Sequence, residues 1–187
     1  MELLPTLEFG LLNGWILLGI LYLELAIAMA ALPRPVVNRL YDRSDWNREK
    51  MPYVMLGKLF SLASIFLIIF SPLKMDTAVF YLGLVLLGLG LIGLAVALVN
   101  YKNAPLGRPA TNGFYRFSRN PQIVSLATSF FGMGFAVGSW LIMATLFISF
   151  IFQYFFLIRE EERACLTQYG DAYREYMEQV PRFLLIF

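Results

Sequence analysis

Apolar residues run in four long blocks along this chain, and the polar residues gather between and after them. The first block covers residues 9–32 and stops at Pro33-Arg34-Pro35. The second covers 54–73 and is halted near Ser71-Pro72, and the third covers 78–99. Each is long enough for the roughly 20 apolar residues that cross a bilayer as a helix. Only four residues, 74–77, separate the second block from the third, which predicts a tight antiparallel pair.

The fourth block, 122–158, holds 37 residues without a charge. As one helix it would be about 55 Å long against a hydrocarbon core of about 30 Å, so it is expected to fold back on itself. The turn is expected in the segment 132–139, where Gly132, Gly134 and Gly138 can take conformations that other residues resist. The expected fold is an all-α integral membrane protein with five transmembrane helices, the fourth and fifth forming a hairpin. Two short cytoplasmic amphipathic helices, 159–168 and 171–179, should follow, broken at Tyr169-Gly170 with Asp171 as the second N-cap.

Composition agrees with lipid as the solvent: 59% of the 187 residues are hydrophobic and 15% charged, against about 25% charged in soluble domains. The spans recur, and the first is preceded by Glu2 and Glu8 rather than a basic stretch, so it is not read as a cleaved signal. Residues 33–53 carry Arg34, Arg39, Arg43, Arg48 and Lys50 against Asp42, Asp45 and Glu49, and residues 100–121 carry Lys102, Arg108, Arg116 and Arg119 with no acid. The positive-inside rule places both loops in the cytoplasm, with the N-terminus outside and the C-terminus cytoplasmic. Cys165 is the single cysteine and histidine is absent, which excludes an internal disulfide, His-ligated haem, the usual zinc sites and His-based triads. No metal centre and no nucleic-acid partner are expected.

Two features inside the spans need an account. Gly83, Gly90 and Ala97 recur at intervals of seven, a face read as a close-packing seam, since helices in lipid associate through such small residues. Glu24 lies eight residues before the end of the first block, about 12 Å deep, where an acid must be paired, protonated or turned toward a polar cavity. Lys58 is its candidate partner; the other reading is contact with a substrate or cofactor.

The densest polar chemistry flanks the fourth block. Before it stands Gly113-Phe-Tyr-Arg-Phe-Ser-Arg-Asn-Pro121, and after it Arg159-Glu160-Glu161-Glu162-Arg163. Pro121 suits the first turn of a helix and Asn120 its N-cap, which would hold Arg119 at the helix mouth. One reading is an Arg–Glu network closing this side. The other is a binding site: carboxylates accept hydrogen bonds from ribose hydroxyls or bind an ammonium, and Arg119 can hold a carboxylate bidentately. An amino-acid-bearing nucleoside offers all three targets, and the two readings are compatible.

Over residues 105–183 the order and spacing of these pieces resemble the isoprenylcysteine carboxyl methyltransferase and phospholipid methyltransferase superfamily. The resemblance rests on Gly113, Tyr115, Arg119, Asn120 and Pro121, the glycine-bearing hairpin, Glu161 and Glu162, then Tyr169, Gly170, Tyr173, Tyr176 and Val180-Pro181-Arg182. The chain departs from the pattern at Ile123, where the superfamily usually has Tyr, and at Ser125, where it usually has Gly. The resemblance implies methyl transfer from S-adenosyl-L-methionine to a lipophilic small molecule or lipid entering from the bilayer. It also implies one membrane domain, in which 1–99 shape the substrate side and 100–187 hold the cofactor. On this reading Glu161 and Glu162 are cofactor-pocket carboxylates, Arg119 anchors the methionyl carboxylate or braces the pocket, Asn120 and Pro121 shape it, and Tyr115 and Tyr173 wall it. Arg119, Glu162 and Glu24 are the residues expected to carry the chemistry.

The leading expectation is an isoprenylcysteine-type carboxylate acceptor. Phospholipid N-methylation is the alternative, and its ammonium would have to shed a proton to Glu24, another carboxylate, Tyr or water. A catalytically silent scaffold or small-solute carrier of the same fold is the reading from outside enzymes.

Overall fold

The computed structural model describes residues 1–42 and 46–184; Arg43 and Asp45, counted above toward the charge of their loop, lie outside the described residues. Among the described residues eight α-helices follow one another: α1 (Trp15–Ala31), α2 (Arg34–Tyr41), α3 (Met51–Phe70), α4 (Ala78–Lys102), α5 (Pro121–Val137), α6 (Trp140–Phe152), α7 (Ile158–Tyr169) and α8 (Asp171–Gln179). A π-helical turn, Gln153–Leu157, joins α6 to α7 without a break, so Trp140–Tyr169 is one continuous 30-residue helix. The expected separate helix at 159–168 is therefore the far end of a membrane helix.

The count of five spans is corrected. Among the described residues three helices are long and apolar enough to cross a membrane: Arg48–Phe70, Ala78–Lys102 and Trp140–Tyr169. α1 and α5 have 17 residues each, about 26 Å of helix against a hydrocarbon core of about 30 Å. Backbone hydrogen bonding sets these shorter limits. Residues 9–14, apolar except for Asn13, are not helical, because Glu8 N–H donates to Phe70 O at 2.9 Å and Gly14 N–H to Ser71 O at 2.9 Å. α5 is bounded by Pro121 at its start and by Gly138 at its end.

At Gly138 the chain reverses with φ +67°, a left-handed conformation that costs glycine little, and its N–H caps α5 on Gly134 O at 3.0 Å. Ser139 then opens α6 by accepting from Ile142 N–H at 3.4 Å. The N-terminal segment crosses this turn, Glu2 N–H donating to Gly138 O at 2.7 Å and Lys74 Nζ pairing with Glu2 at 2.8 Å. Met1 thus lies at the Gly138 end of the bundle, and the C-terminal segment at the Arg119 end.

The pairing of helices differs from the expected one. α3 and α4, although consecutive in the chain and expected to pair, scarcely meet: α4 lies along α5, and α3 along α6. The α4–α5 seam is made by small residues. A Cβ added at Gly90 would fall 2.6 Å from Ser129 N and 2.7 Å from Ser125 O, and one at Gly132 would fall 2.6 Å from Leu87 N, so the two backbones are in contact. The α3–α6 seam is instead held by hydroxyls: Ser64 Oγ donates to Thr145 Oγ1 at 2.8 Å, and Ser61 and Ser149 share a hydrogen bond at 2.6 Å. α1 fills the gap between the pairs with Leu17, Leu18 and Leu21, which join Ile68, Leu94, Leu98, Met133 and Ile142 in one apolar core.

Contact at Gly90 and open space at Gly88 give a controlled comparison. Gly90→Leu should lower the thermal midpoint in detergent by the equivalent of about 1–3 kcal/mol or more, the cost of overpacking a close interface, whereas Gly88→Leu should leave it nearly unchanged.

Candidate active site

Glu162 organises the Arg119 end of the bundle. It is 4% exposed, on the face of α7 that meets both the start of α5 and the C-terminal segment. Arg119, 7% exposed, donates from Nε to Oε1 at 2.9 Å, and its NH2 reaches the same oxygen at 2.9 Å. Arg182 donates from Nε to Oε1 at 3.1 Å and Oε2 at 3.0 Å, and from NH2 to Oε2 at 2.6 Å. Arg119 NH1 is committed to Met177 O and Val180 O, both at 2.8 Å. One buried carboxylate therefore holds two guanidinium groups, and hydrogen bonding to it raises the Arg182 pKa above its ordinary value.

The same junction ties backbone to backbone. Arg119 N–H donates to Pro181 O at 2.9 Å and Ser118 Oγ to Arg182 O at 3.0 Å. Asn120 stands at the N-cap position of α5, but its side chain does not cap the helix; Nδ2 donates to Arg182 O at 3.4 Å. Glu160, two residues before Glu162 and so on the opposite face of α7, is also buried. It accepts from Asn47 N–H at 3.0 Å and pairs with Arg163 at 3.0 Å, which fastens the α2–α3 connection to α7.

Between these two fastenings lies a cavity of about 520 Å³. Glu161, Asn120, Gln122, Thr167, Gln168 and the rings of Tyr101, Tyr115, Tyr169, Tyr173 and Tyr176 line its polar part. Leu25, Met29, Leu40, Leu94, Leu98, Ile123 and Leu126 line the part that extends into the bundle. All seven residues expected to hold a cofactor, Tyr115, Arg119, Asn120, Pro121, Glu161, Glu162 and Tyr173, border this one space.

Glu24 does not border it. Both its carboxylate oxygens are buried with no hydrogen-bond partner among the described residues, and its neighbour Leu25 forms the α1 wall. The expected pairing with Lys58 is not formed: Lys58 is exposed and enters no ion pair with it.

Other contributors were not foreseen. α2 lies over the cavity, placing Arg39 and Leu40 in its wall, and Trp46 adds a buried indole. The spacing of Val36 and Leu40 on a helix whose other side is polar was the available signal. The departures from the superfamily pattern acquire roles. Ser125 packs against α4 where a Cβ on Gly93 would come within 2.6 Å of its Oγ, and the Ser125 hydroxyl donates to Pro121 O at 2.8 Å. Ile123 contributes apolar surface to the cavity wall.

The tyrosines share one electrostatic condition. Tyr115, Tyr173 and Tyr176 are pushed above the ordinary phenol value of 10.0, chiefly by burial. Tyr176 Oη donates to Tyr115 O at 2.6 Å, and Gln122 Nε2 donates to Tyr115 Oη at 2.9 Å.

An all-α membrane protein with a cavity that is polar at one end and apolar at the other belongs to a small set of classes, those that bring a water-soluble reagent to a lipid. The family model described as phospholipid methyltransferase matches residues 77–172, about half of the chain, and the chain belongs to that family. No curated protein and no solved structure matches it. The protein is an enzyme that uses S-adenosyl-L-methionine as methyl donor and acts on a lipid-like acceptor. The cavity fits that donor chemically: carboxylate, amide and hydroxyl groups suit a nucleoside, and aromatic faces suit a cationic sulfonium.

Two outcomes follow from this geometry. Glu162→Gln leaves two guanidinium groups without their shared anion and should destabilise the fold by about 3–5 kcal/mol, as breaking a buried ion pair does, read as a fall in the denaturation midpoint. For the phenols, a pKa raised by folding means the native state holds its protons longer than the unfolded chain. Their contribution to stability should be intact below pH 10 and decline as pH rises beyond it. Ultraviolet titration should show these three tyrosines ionising only as the protein unfolds.

Proposed function

We propose that the acceptor is the amine of a phospholipid headgroup, which is methylated at the junction of the polar and apolar parts of the cavity. The observation that carries this reading is the two-part lining itself, which gives a headgroup and an acyl chain adjoining places in one space. The family to which the chain belongs favours an amine over an isoprenylcysteine carboxylate, the leading expectation from sequence.

Bound in the polar part, S-adenosyl-L-methionine would supply an electrophilic methyl group. Glu161 and the tyrosines hold the nucleoside side of that ligand; Arg119 and Glu162 act as the brace that fixes the wall, since most of their bonding capacity is spent on each other and on Arg182. Asn120 and Pro121 set the mouth of α5, and Tyr115 and Tyr173 close the wall and exclude water. An ammonium must lose a proton before its nitrogen can attack, and Glu161 is a cavity-lining carboxylate outside the Arg119–Glu162–Arg182 brace, the one we assign to this proton. Glu24 does not line the cavity and takes no part in this assignment.

The cavity end of the bundle faces the cytoplasm in this reading, because Lys and Arg of the α1–α3 and α4–α5 connections gather there. Met1 is then on the outer side and the C-terminal segment on the inner.

Incubating proteoliposomes of phosphatidylethanolamine and phosphatidylcholine with methyl-labelled donor should put label on the ethanolamine headgroup. Label appearing only on a carboxylate-bearing prenyl lipid, or saturable donor binding absent from a protein shown to be folded, would sink the reading. Glu161→Gln should weaken donor affinity about tenfold or more through loss of a charge-assisted hydrogen bond. Glu24→Gln, outside the cavity lining, should leave donor affinity and the transfer rate unchanged; slower transfer with donor affinity intact would bring Glu24 into the reaction.

A further inference from the structure

Two guanidinium groups among the described residues border the cavity, and they are in opposite electrostatic situations. Arg119 is neutralised by Glu162 and has four of its N–H bonds directed at protein acceptors. Arg39 has no carboxylate within ion-pair distance among the described residues. Its Nε donates to Tyr169 Oη at 3.1 Å, NH1 to Pro105 O at 3.1 Å and NH2 to Arg108 O at 2.8 Å, all neutral acceptors. Its carbon Cζ lies 4.7 Å from the Tyr101 ring centre and 5.7 Å from that of Tyr169, contacts that stabilise a cation without cancelling its charge.

The result is a guanidinium held in a fixed orientation by three hydrogen bonds and two rings, with two N–H bonds uncommitted. Fixed donors of this kind recognise oxyanions, because the cost of ordering the side chain has already been met by the protein. Arg39 also borders a surface groove of about 640 Å³ shared with Asn38, Leu106 and Gln168. It stands where a ligand arriving from water passes into the cavity.

We propose that Arg39 is the anion-binding residue of the cavity and takes an oxyanion of a bound reactant. This rests on the methyltransferase reading, and its phosphodiester arm also on the phospholipid acceptor, but not on Glu24 or Glu161. Arg39 lies on α2, outside residues 77–172, so the assignment comes from the geometry of this chain and not from the matched segment. Two sources supply that chemistry: the carboxylate of the donor's methionyl group and the phosphodiester of a phospholipid headgroup. Arg119, the residue expected from sequence to meet the carboxylate, has little capacity left for it.

The test is titration calorimetry of the full-length protein in detergent with S-adenosyl-L-methionine and with 5′-methylthioadenosine, which lacks the carboxylate, together with KM for phosphatidylethanolamine and for a long-chain primary amine without phosphate. The variants are Arg39→Gln and Arg39→Lys. If the donor's carboxylate is the ligand, Arg39→Gln loses affinity for the donor about tenfold or more and keeps that for methylthioadenosine. If the phosphodiester is the ligand, donor affinity holds and KM rises about tenfold for the phospholipid alone. In either case Arg39→Lys, which keeps the charge but cannot reproduce three directed hydrogen bonds, recovers part of the loss. The proposal is overturned if Arg39→Gln changes neither quantity. It is equally overturned if both variants weaken the anionic and non-anionic probes alike, the mark of a latch that only closes α2. Failure of the original protein to bind either nucleoside would instead remove the methyltransferase reading.

Discussion

One carboxylate shared between two guanidinium groups holds the functional end of this protein in place. Removing charges from water costs several kcal/mol each, and the arrangement tolerates this only because Glu162, Arg119 and Arg182 satisfy one another together with two backbone carbonyls. The partners come from three segments far apart in the chain: the approach to α5, the middle of α7 and the residues after α8. Two residues earlier, on the reverse side of α7, Glu160 performs the same service for the connection after α2. An acidic pair at i and i+2 points in opposite directions on a helix, so α7 is gripped from both sides and Glu161 is left on the cavity side between the grips.

Within the apolar region the bundle uses two ways to hold helices together where the solvent is itself hydrocarbon. Along α4 and α5 the side chains are removed and the backbones touch; along α3 and α6 hydroxyls exchange hydrogen bonds. Neither seam joins α3 to α4, which leaves α1 and the polar end to close the space between the two pairs. The cavity lies at that polar end, bounded by leucines of α1 and α4, by the first turns of α5 and by α7, with no residue of α3 or α6 in its lining.

Much of this was legible in the sequence and some was not, for identifiable reasons. The seven-residue recurrence of small side chains in α4 marked its seam, and the uncharged run of 37 residues with Gly138 inside it marked the reversal. The gathering of Tyr115, Arg119, Asn120, Glu161 and Tyr173 around one space is what the superfamily resemblance implies. The limits of α1 were not, because hydrogen bonds from Glu8 and Gly14 to the end of α3 decide them and hydropathy does not register such bonds. The hydroxyl seam was hidden because Ser61, Ser64, Thr145 and Ser149 scarcely interrupt their apolar runs. α2 reads in sequence as part of a charged loop. The share of Arg182 in the Glu162 network is not legible there, since the two lie 20 residues apart.

The continuous helix from Trp140 to Tyr169 acts as a ruler. Thirty residues at 1.5 Å each give about 45 Å, some 15 Å more than the hydrocarbon needs. The surplus is about one-third of the helix, and it carries the acidic triplet. The height of those carboxylates above the acyl chains is therefore set by the length of a single rod, with no loop to absorb error. A one-residue deletion in the regular part of the rod, Trp140–Phe152, would lower the triplet by about 1.5 Å and turn it by about 100°, exchanging the side that grips Arg119 for one that faces elsewhere.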